Sequence, residues 1–368
     1  MSQNQHLKYM SLALDLAAAQ RGQTSPNPMV GAVIVKDHQI VGMGAHLRAG
    51  EAHAEVHALN MAGDKAQDST MYVTLEPCSH FGRTPPCADQ VIEAGIRKVF
   101  VATLDPNPLV AGRGINKLEE AGIDVNVGLL GQEATDLNEA FNYYILHKRP
   151  YVTLKTATTL DGKIATVTGE SQWITNEASR ADVHILRHEH DAILVGVQTV
   201  VKDDPQLTTR IQGEQGHHPT RVILDSALSV PIEARILDTS VAPTWIFTTD
   251  RADAMKKQHL EARGVKVITV GDGPRVSLDH VLNQLGEQKV TSLLVEGGGA
   301  VNATFLKEHH VHRMVQYIAP KLIGGNEAPT PFRGTGMIHL ADALVIENIK
   351  VEQLGDDIKV TGHVKKTG

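Results

Sequence analysis

Residues 71–87 read MYVTLEPCSHFGRTPPC, and the reading of this stretch decides the fold. A short apolar strand over 71–74 runs into Pro77-Cys78, and Pro86-Cys87 then opens a helix over 86–94. Cys78 and Cys87 are the only 2 cysteines in the chain. Two are too few for a disulfide scaffold, so in a reducing compartment a metal-binding or catalytic pair is the expectation. Upstream, Gly50-Glu51-Ala52-His53-Ala54-Glu55 leads into a helix over 53–61. One imidazole and two thiolates make three protein ligands and leave a fourth tetrahedral position for water, the arrangement of a catalytic zinc. In the first turn of a helix His53 and Glu55 both reach a point beyond the helix end, and the N-terminus of the next helix favours thiolate at Cys87. Zinc lowers the pKa of bound water from about 15.7 to about 7, and a carboxylate that is not a ligand can carry the proton to a leaving group. Glu55 fits that role. Two blander readings stand beside this one: small buried cysteines with a helix-start histidine, or a closed structural zinc with His80 as its fourth ligand, which leaves Glu55 without a task.

Working outward, 30–36 and 40–46 read as two strands joined by a polar turn at Asp37-His38-Gln39, a hairpin signal. A strand over 97–103, a helix over 111–121 and one long helix over 133–147 follow. The first part is thus alternating α and β, a sheet covered by helices. Lys148-Arg149-Pro150 ends that helix, which places a domain boundary near 147, with one domain over 1–147 and another over 148–368. The second part alternates again, with strands at 151–157, 192–195, 221–224, 244–247, 266–269, 292–295 and 313–318. Its helices fall at 177–190, 253–262, 277–285 and 300–308. Strands near 343–353 and 357–365 follow each other without a helix, so this second sheet is expected to be mixed.

A length of 368 residues exceeds the roughly 250–300 at which one core splits into two, which agrees with that division. The formal net charge of −7 argues against a broad basic footprint, so a nucleic-acid partner is not expected. No run approaches the roughly 18 apolar residues of a membrane span, and the first helix lacks the uninterrupted apolar core of a signal peptide, so no membrane partner and a cytoplasmic location are expected.

In the second domain the strand over 292–295 ends in Glu296-Gly297-Gly298-Gly299 and a helix follows. Side-chain-free backbone at a helix N-terminus suits a dinucleotide pyrophosphate, although a plain β–α turn reads equally well. The run is not G-x-G-x-x-G and no acidic residue stands at the ribose-reading distance, so a Rossmann domain is not supported. His184, His188 and His190 share one helix, and a solvated helix face is the expected explanation.

The pattern His53-Ala54-Glu55, Pro77-Cys78 and Pro86-Cys87 resembles the zinc nucleobase deaminases, with eight residues between the cysteines in place of two. That longer loop, with Asn27-Pro28-Met29-Val30-Gly31, closely resembles the deaminase part of the bifunctional deaminase–reductase family of riboflavin biosynthesis (RibD/RibG). Leu154-Lys155-Thr156-Ala157, Leu160-Asp161-Gly162-Lys163, Ser171-Gln172-Trp173-Ile174-Thr175, Asp203-Asp204-Pro205-Gln206-Leu207-Thr208 and Val295-Glu296-Gly297-Gly298 resemble its reductase part. The resemblance implies a cytidine-deaminase-like α/β/α domain with one zinc on His53, Cys78 and Cys87, and Glu55 as its catalytic residue. It further implies a dihydrofolate-reductase-like domain that uses NADPH to turn a ribosylamino side chain into ribitylamino. The implied substrate is 2,5-diamino-6-(5-phosphoribosylamino)pyrimidin-4-one, a small pyrimidine ribose phosphate, and the implied assembly is a homo-oligomer, dimer or tetramer. Asn27, His46, His80 and Arg83 would line the first pocket, with Arg83 on a phosphate. Ser171, Arg187, Leu207, Arg210 and Glu296 would contact substrate in the second, and Lys155 would deliver a proton. Ala157, Trp173, Thr199, Asp203 and Ser226 would hold NADPH together with Gly298, Gly299, Ala300, Val301, Asn302, Ala303 and Thr304.

Overall fold

A computed structural model describes residues 2–79, 86–108, 110–213 and 216–365. His80 and Arg83 lie outside the described residues. The chain forms two compact units, Met1–Lys148 and Arg149–Gly368.

The first unit runs α1 (Gln3–Ala18), β1 (Gly31–Lys36), β2 (Gln39–Ala45), α2 (Ala54–Ala62), β3 (Thr70–Val73), α3 (Cys87–Glu93), β4 (Lys98–Val101), α4 (Arg113–Glu120), β5 (Asp124–Val127), α5 (Gly131–Leu137) and α6 (Glu139–His147). Its sheet has the order β2-β1-β3-β4-β5, antiparallel on either side of β1 and parallel from β3 onward. The β1–β2 turn is tighter than its sequence suggests. Asp37 and His38 both take positive φ, 47° and 63°, and Lys36 pairs with Gln39, which makes a two-residue turn matched to strand twist. Helix α2 lies close on β2 because Gly44 has no side chain: a Cβ there would sit 2.6 Å from the Ala54 carbonyl oxygen.

Two expectations fail in this unit. The strand β5 has little apolar alternation to announce it and was not expected. The single helix over 133–147 is broken at Asn138, whose φ of −106° ends one helix and begins the next. Its side chain accepts from Met29 N and donates to Met29 O, both at 2.8 Å, so a contact 109 residues away overrides local helix propensity.

The second unit runs β6 (Tyr151–Thr159), α7 (Glu177–Glu189), β7 (Ala192–Gly196), α8 (Val197–Asp203), β8 (Thr220–Leu224), β9 (Thr244–Thr248), α9 (Ala254–Ala262), β10 (Lys266–Thr269), α10 (Leu278–Glu287), β11 (Ser292–Val295), α11 (Gly299–Lys307), β12 (Arg313–Ala319), β13 (Ile346–Leu354) and β14 (Asp357–Val364). The nine strands stand in the order β10-β9-β8-β7-β11-β6-β12-β14-β13. All are parallel except that β14 runs antiparallel to both β12 and β13, which is the mixed sheet expected from two strands in succession. Helix α8 was not foreseen; it is a seven-residue element starting directly where β7 stops. The apolar inner strands are packed from both faces by two clusters, one around Ile193, Ile223 and Ile246 and the other around Leu154, Leu194 and Phe247. Such double-sided burial is why these strands read as continuous apolar runs.

The expectation of a solvated histidine face is also overturned. His190 is 7% exposed and lies between Leu186 O at 2.6 Å and Thr153 Oγ1 at 2.9 Å. His184 Nδ1 faces Thr208 O, and His188 Nδ1 accepts from His217 N, so these rings tie α7 to its neighbours.

Candidate active sites

In the first unit three chain segments converge at the C-terminal end of β3. His53 is the N-cap residue of α2 and Cys87 is the first residue of α3, while Cys78 follows β3. The His53 Nδ1 atom lies 3.1 Å from Cys87 Sγ and 3.6 Å from Cys78 Sγ, and the three donor atoms all fall within 4.8 Å of one another. Tetrahedral zinc, with Zn–S of about 2.3 Å and Zn–N of about 2.0–2.1 Å, separates such donors by about 3.5–3.8 Å, so the three fit that ion. The Cys78 sulfur accepts from the Cys87 thiol, and with the His53 ring and the Cys87 N–H this holds Cys78 down to about 4. The same thiol hydrogen bond, followed by burial, pushes Cys87 up.

Glu55, the second residue of α2, is 3% exposed, and its Oε2 atom has no hydrogen-bond partner among the described residues. Burial raises this carboxyl to about 7, against the opposing pull of its own backbone N–H and of His53. A carboxyl poised there can both take and give a proton near neutral pH.

Beside it lies a cavity of about 250 Å³ whose wall includes Asn27, His46, His53, Glu55 and Cys78. His46 is 2% exposed, with Nδ1 3.1 Å from Ala52 O and Nε2 3.0 Å from the Asn27 amide nitrogen. The carbonyl requires the proton on Nδ1, so Nε2 accepts from Asn27. Burial lowers the His46 pKa and keeps the ring neutral. The same wall contains Glu76, Asp105 and Asn107, which the sequence reading missed. A signal was present: Asp105-Pro106-Asn107-Pro108 repeats the Asn-Pro turn chemistry of Asn27-Pro28.

In the second unit a cleft of about 760 Å³ opens at the C-terminal ends of parallel strands, the usual place for a ligand in such sheets. Register explains its centre. Val295 of β11 pairs with Leu154 of β6, so the next residues, Glu296 and Lys155, emerge side by side and meet at 3.4 Å. Arg187 reaches them from α7, a helix capped by the Asn176 side chain, and grips Glu296 through Nε at 2.8 Å and Nη2 at 3.1 Å. Burial pushes Glu296 up, but the Arg187 and Lys155 charges prevail and hold it at about 2.

The cleft wall brings together Lys155, Ala157, Ser171, Trp173, Arg187, Thr199, Asp203, Leu207, Arg210, Glu296 and Asn302. Gly298 is the N-cap residue of α11, and Gly299, Ala300 and Val301 make its first turn, where backbone N–H groups lack intrahelical partners. Asn302 is 2% exposed and its Oδ1 is buried without a partner among the described residues, a polar atom left for a bound group. These features fit a dinucleotide. Ala303 and Thr304 continue α11 away from that turn, and the Thr304 hydroxyl donates to Ala300 O. Ser226 follows β8; its hydroxyl accepts from Val276 N, and its carbonyl from the Thr248 and Thr249 hydroxyls. Arg180 and Arg235 line the cleft and were missed; the Arg180 guanidinium stands 4.7 Å over the exposed Trp173 ring. In the 160–163 motif, the Asp161 carboxylate binds Ile323 N and Gly324 N, and Lys163 binds Gly325 O, so these residues hold a loop.

A deaminase-type metal centre on one α/β unit and a cleft for a dinucleotide on another define a two-headed enzyme of hydrolysis and reduction. Family models agree in both parts: residues 3–103 match the cytidine and deoxycytidylate deaminase zinc-binding region, and residues 150–360 match the RibD C-terminal domain. The chain is 51% identical to the riboflavin biosynthesis protein RibD of Bacillus amyloliquefaciens, over 97% of this chain and 96% of that one. It superposes on Acinetobacter baumannii RibD with a TM-score of 0.90 at 38% identity, covering 99% of this chain and 100% of that one. A Thermotoga maritima diaminohydroxyphosphoribosylaminopyrimidine deaminase/5-amino-6-(5-phosphoribosylamino)uracil reductase matches with a TM-score of 0.85 at 35% identity, covering 98% and 99%. The chain belongs to the RibD family, the bifunctional zinc deaminases and NADPH reductases of riboflavin biosynthesis.

Proposed function

We propose that residues 1–147 deaminate 2,5-diamino-6-(5-phosphoribosylamino)pyrimidin-4-one, and that residues 148–368 reduce the product to 5-amino-6-(5-phosphoribitylamino)uracil. Bound zinc would supply an activated water, and NADPH would supply a hydride. The observation that carries the first half is the buried, unpartnered Glu55 Oε2 beside three convergent metal donors. In the deamination, water adds at the ring carbon bearing the exocyclic amine, Glu55 moves a proton from that water to the amine, and ammonia leaves. His53, Cys78 and Cys87 hold the metal, while the neutral His46 fixes the Asn27 amide, whose remaining polar atoms meet the pyrimidine.

In the reduction, Arg210 and the remaining donors of Arg187 hold the ribose phosphate, for which a guanidinium fork is suited. Lys155 gives a proton to the ribosyl ring oxygen as its bond to the anomeric carbon breaks and that carbon takes the hydride, and Glu296 fixes the direction of that ammonium. Ser171 and Leu207 complete the substrate wall; Trp173, Thr199, Asp203 and the first turn of α11 hold NADPH. The decisive test is incubation with the pyrimidine phosphate, with and without NADPH, and identification of products by mass. Ammonia without NADPH and the ribityl product only with it are expected; either activity missing refutes the corresponding half.

We also infer a homo-oligomer in the cytoplasm. Support for assembly comes from β13, an edge strand of nine residues with Ile349 57% and Val351 65% exposed, a ready template for a second copy. Light scattering should show a dimer or tetramer that Val351→Lys weakens. No helix among the described residues is long and apolar enough to cross a membrane.

A further inference from the structure

Glu76 is a second buried carboxylate in the deaminase cavity, 6% exposed, and its circumstances are the reverse of those of Glu55. Its Oε1 accepts from Gly114 N at 2.8 Å and Ile115 N at 3.4 Å, and its Oε2 from Gly112 N at 3.0 Å and Asp105 N at 3.2 Å. A carboxylate offers about four lone-pair sites, so these four N–H groups saturate it. It has nothing left with which to bind substrate or carry a proton. Three of the four donors belong to the start of α4, whose first N–H groups have no partners within the helix. Glu76 therefore caps that helix from a distant segment. The fourth donor, Asp105 N, lies at the other end of the same connection, so one side chain binds both ends of the loop over 105–112. Gly114 completes the junction: a Cβ there would fall 2.0 Å from Pro77 O.

We propose that Glu76 is a positioning residue that shapes the deamination pocket, by tying both ends of the 105–112 loop to the segment that carries Cys78. Asp105, Asn107 and Val110 of that loop face the same cavity as Glu55. The role rests on the deaminase reading of this cavity, yet its structural half is measurable without turnover. Glutamine at 76 keeps the shape but leaves only one acceptor oxygen and turns an NH₂ toward two N–H donors.

The test is Glu76→Gln in the full chain, read by zinc content, amide hydrogen exchange and deaminase kinetics. Expected are one zinc per chain, faster exchange confined to Asp105, Gly112, Gly114 and Ile115, and a KM for the pyrimidine phosphate raised about tenfold, with kcat within about threefold of wild type. NADPH-dependent reduction of supplied deaminated intermediate should be unchanged. Gly114→Ala disturbs the same junction from the other side and should raise KM likewise; it is the variant read if Glu76→Gln does not fold. Loss of zinc, a fall in kcat at unchanged KM, or unchanged KM and exchange would each overturn the proposal. A wild-type chain that releases no ammonia refutes the deaminase reading instead, and the exchange pattern still decides whether Glu76 holds the loop.

Discussion

Glu55 is buried in the first unit and Glu296 lines a cleft in the second with its side chain 10% exposed, and the two hold protons in opposite ways. Burial dominates at Glu55 and lifts it to about 7; at Glu296 burial acts the same way but Arg187 and Lys155 outweigh it and keep the group at about 2. Burial alone therefore does not set the behaviour of a carboxyl. A buried carboxyl whose neighbours do not outweigh its desolvation trades protons near neutral pH, whereas one held between two cations stays charged and serves to orient them.

The sharpest way to break that contrast is Glu55→Gln. Ammonia release should fall by about 10²–10⁴-fold with zinc retained, since only the proton carrier is lost, and NADPH consumption with the deaminated intermediate should persist. Loss of both activities in folded protein would sink the two-site account. Next in size is Arg187→Ala, which leaves Glu296 buried with Lys155 alone. A loss of about 3–5 kcal/mol from the second unit is expected by chemical denaturation, with ammonia release unaffected.

Acid provides a third test. Glu296 binds a proton more readily unfolded, near its ordinary 4.5, than folded, near 2, so its contribution is complete above pH 4.5 and disappears as pH falls through that window. Between pH 5 and pH 3 the second unit should lose about 2 kcal/mol, and Glu296→Gln should flatten that dependence. The smallest effect is expected at Arg210, which is exposed and hydrogen-bonded to Thr208 Oγ1 at 3.0 Å. Arg210→Ala should raise the reductase KM for its phosphate-bearing substrate about tenfold, worth about 1.4 kcal/mol, and leave deamination alone.

Much of the first site was legible in residue types. His53, Glu55, Cys78 and Cys87 each sit at an element terminus that local signals mark, and only zinc chemistry asks for that set. Glu76, Asp105 and Asn107 were not legible, because Glu76 does its work through backbone N–H groups 29–39 residues away, and N–H groups leave no trace in a sequence. In the second unit the glycine-rich start of α11 was visible as punctuation. The meeting of Lys155, Arg187 and Glu296 was not, since strand register and a helix from elsewhere bring them together.

The sequence by itself determined the alternation of strands and helices, the mixed character of the second sheet and the metal triad, because apolar period and terminal chemistry act within a few residues. Only the tertiary structure decided that Asn138 breaks a helix, that His190 is buried, and that burial prevails at Glu55 while two cations prevail at Glu296. Each of those depends on which distant groups arrive beside a side chain, and in a low-dielectric interior those neighbours, more than the residue itself, set its free energy.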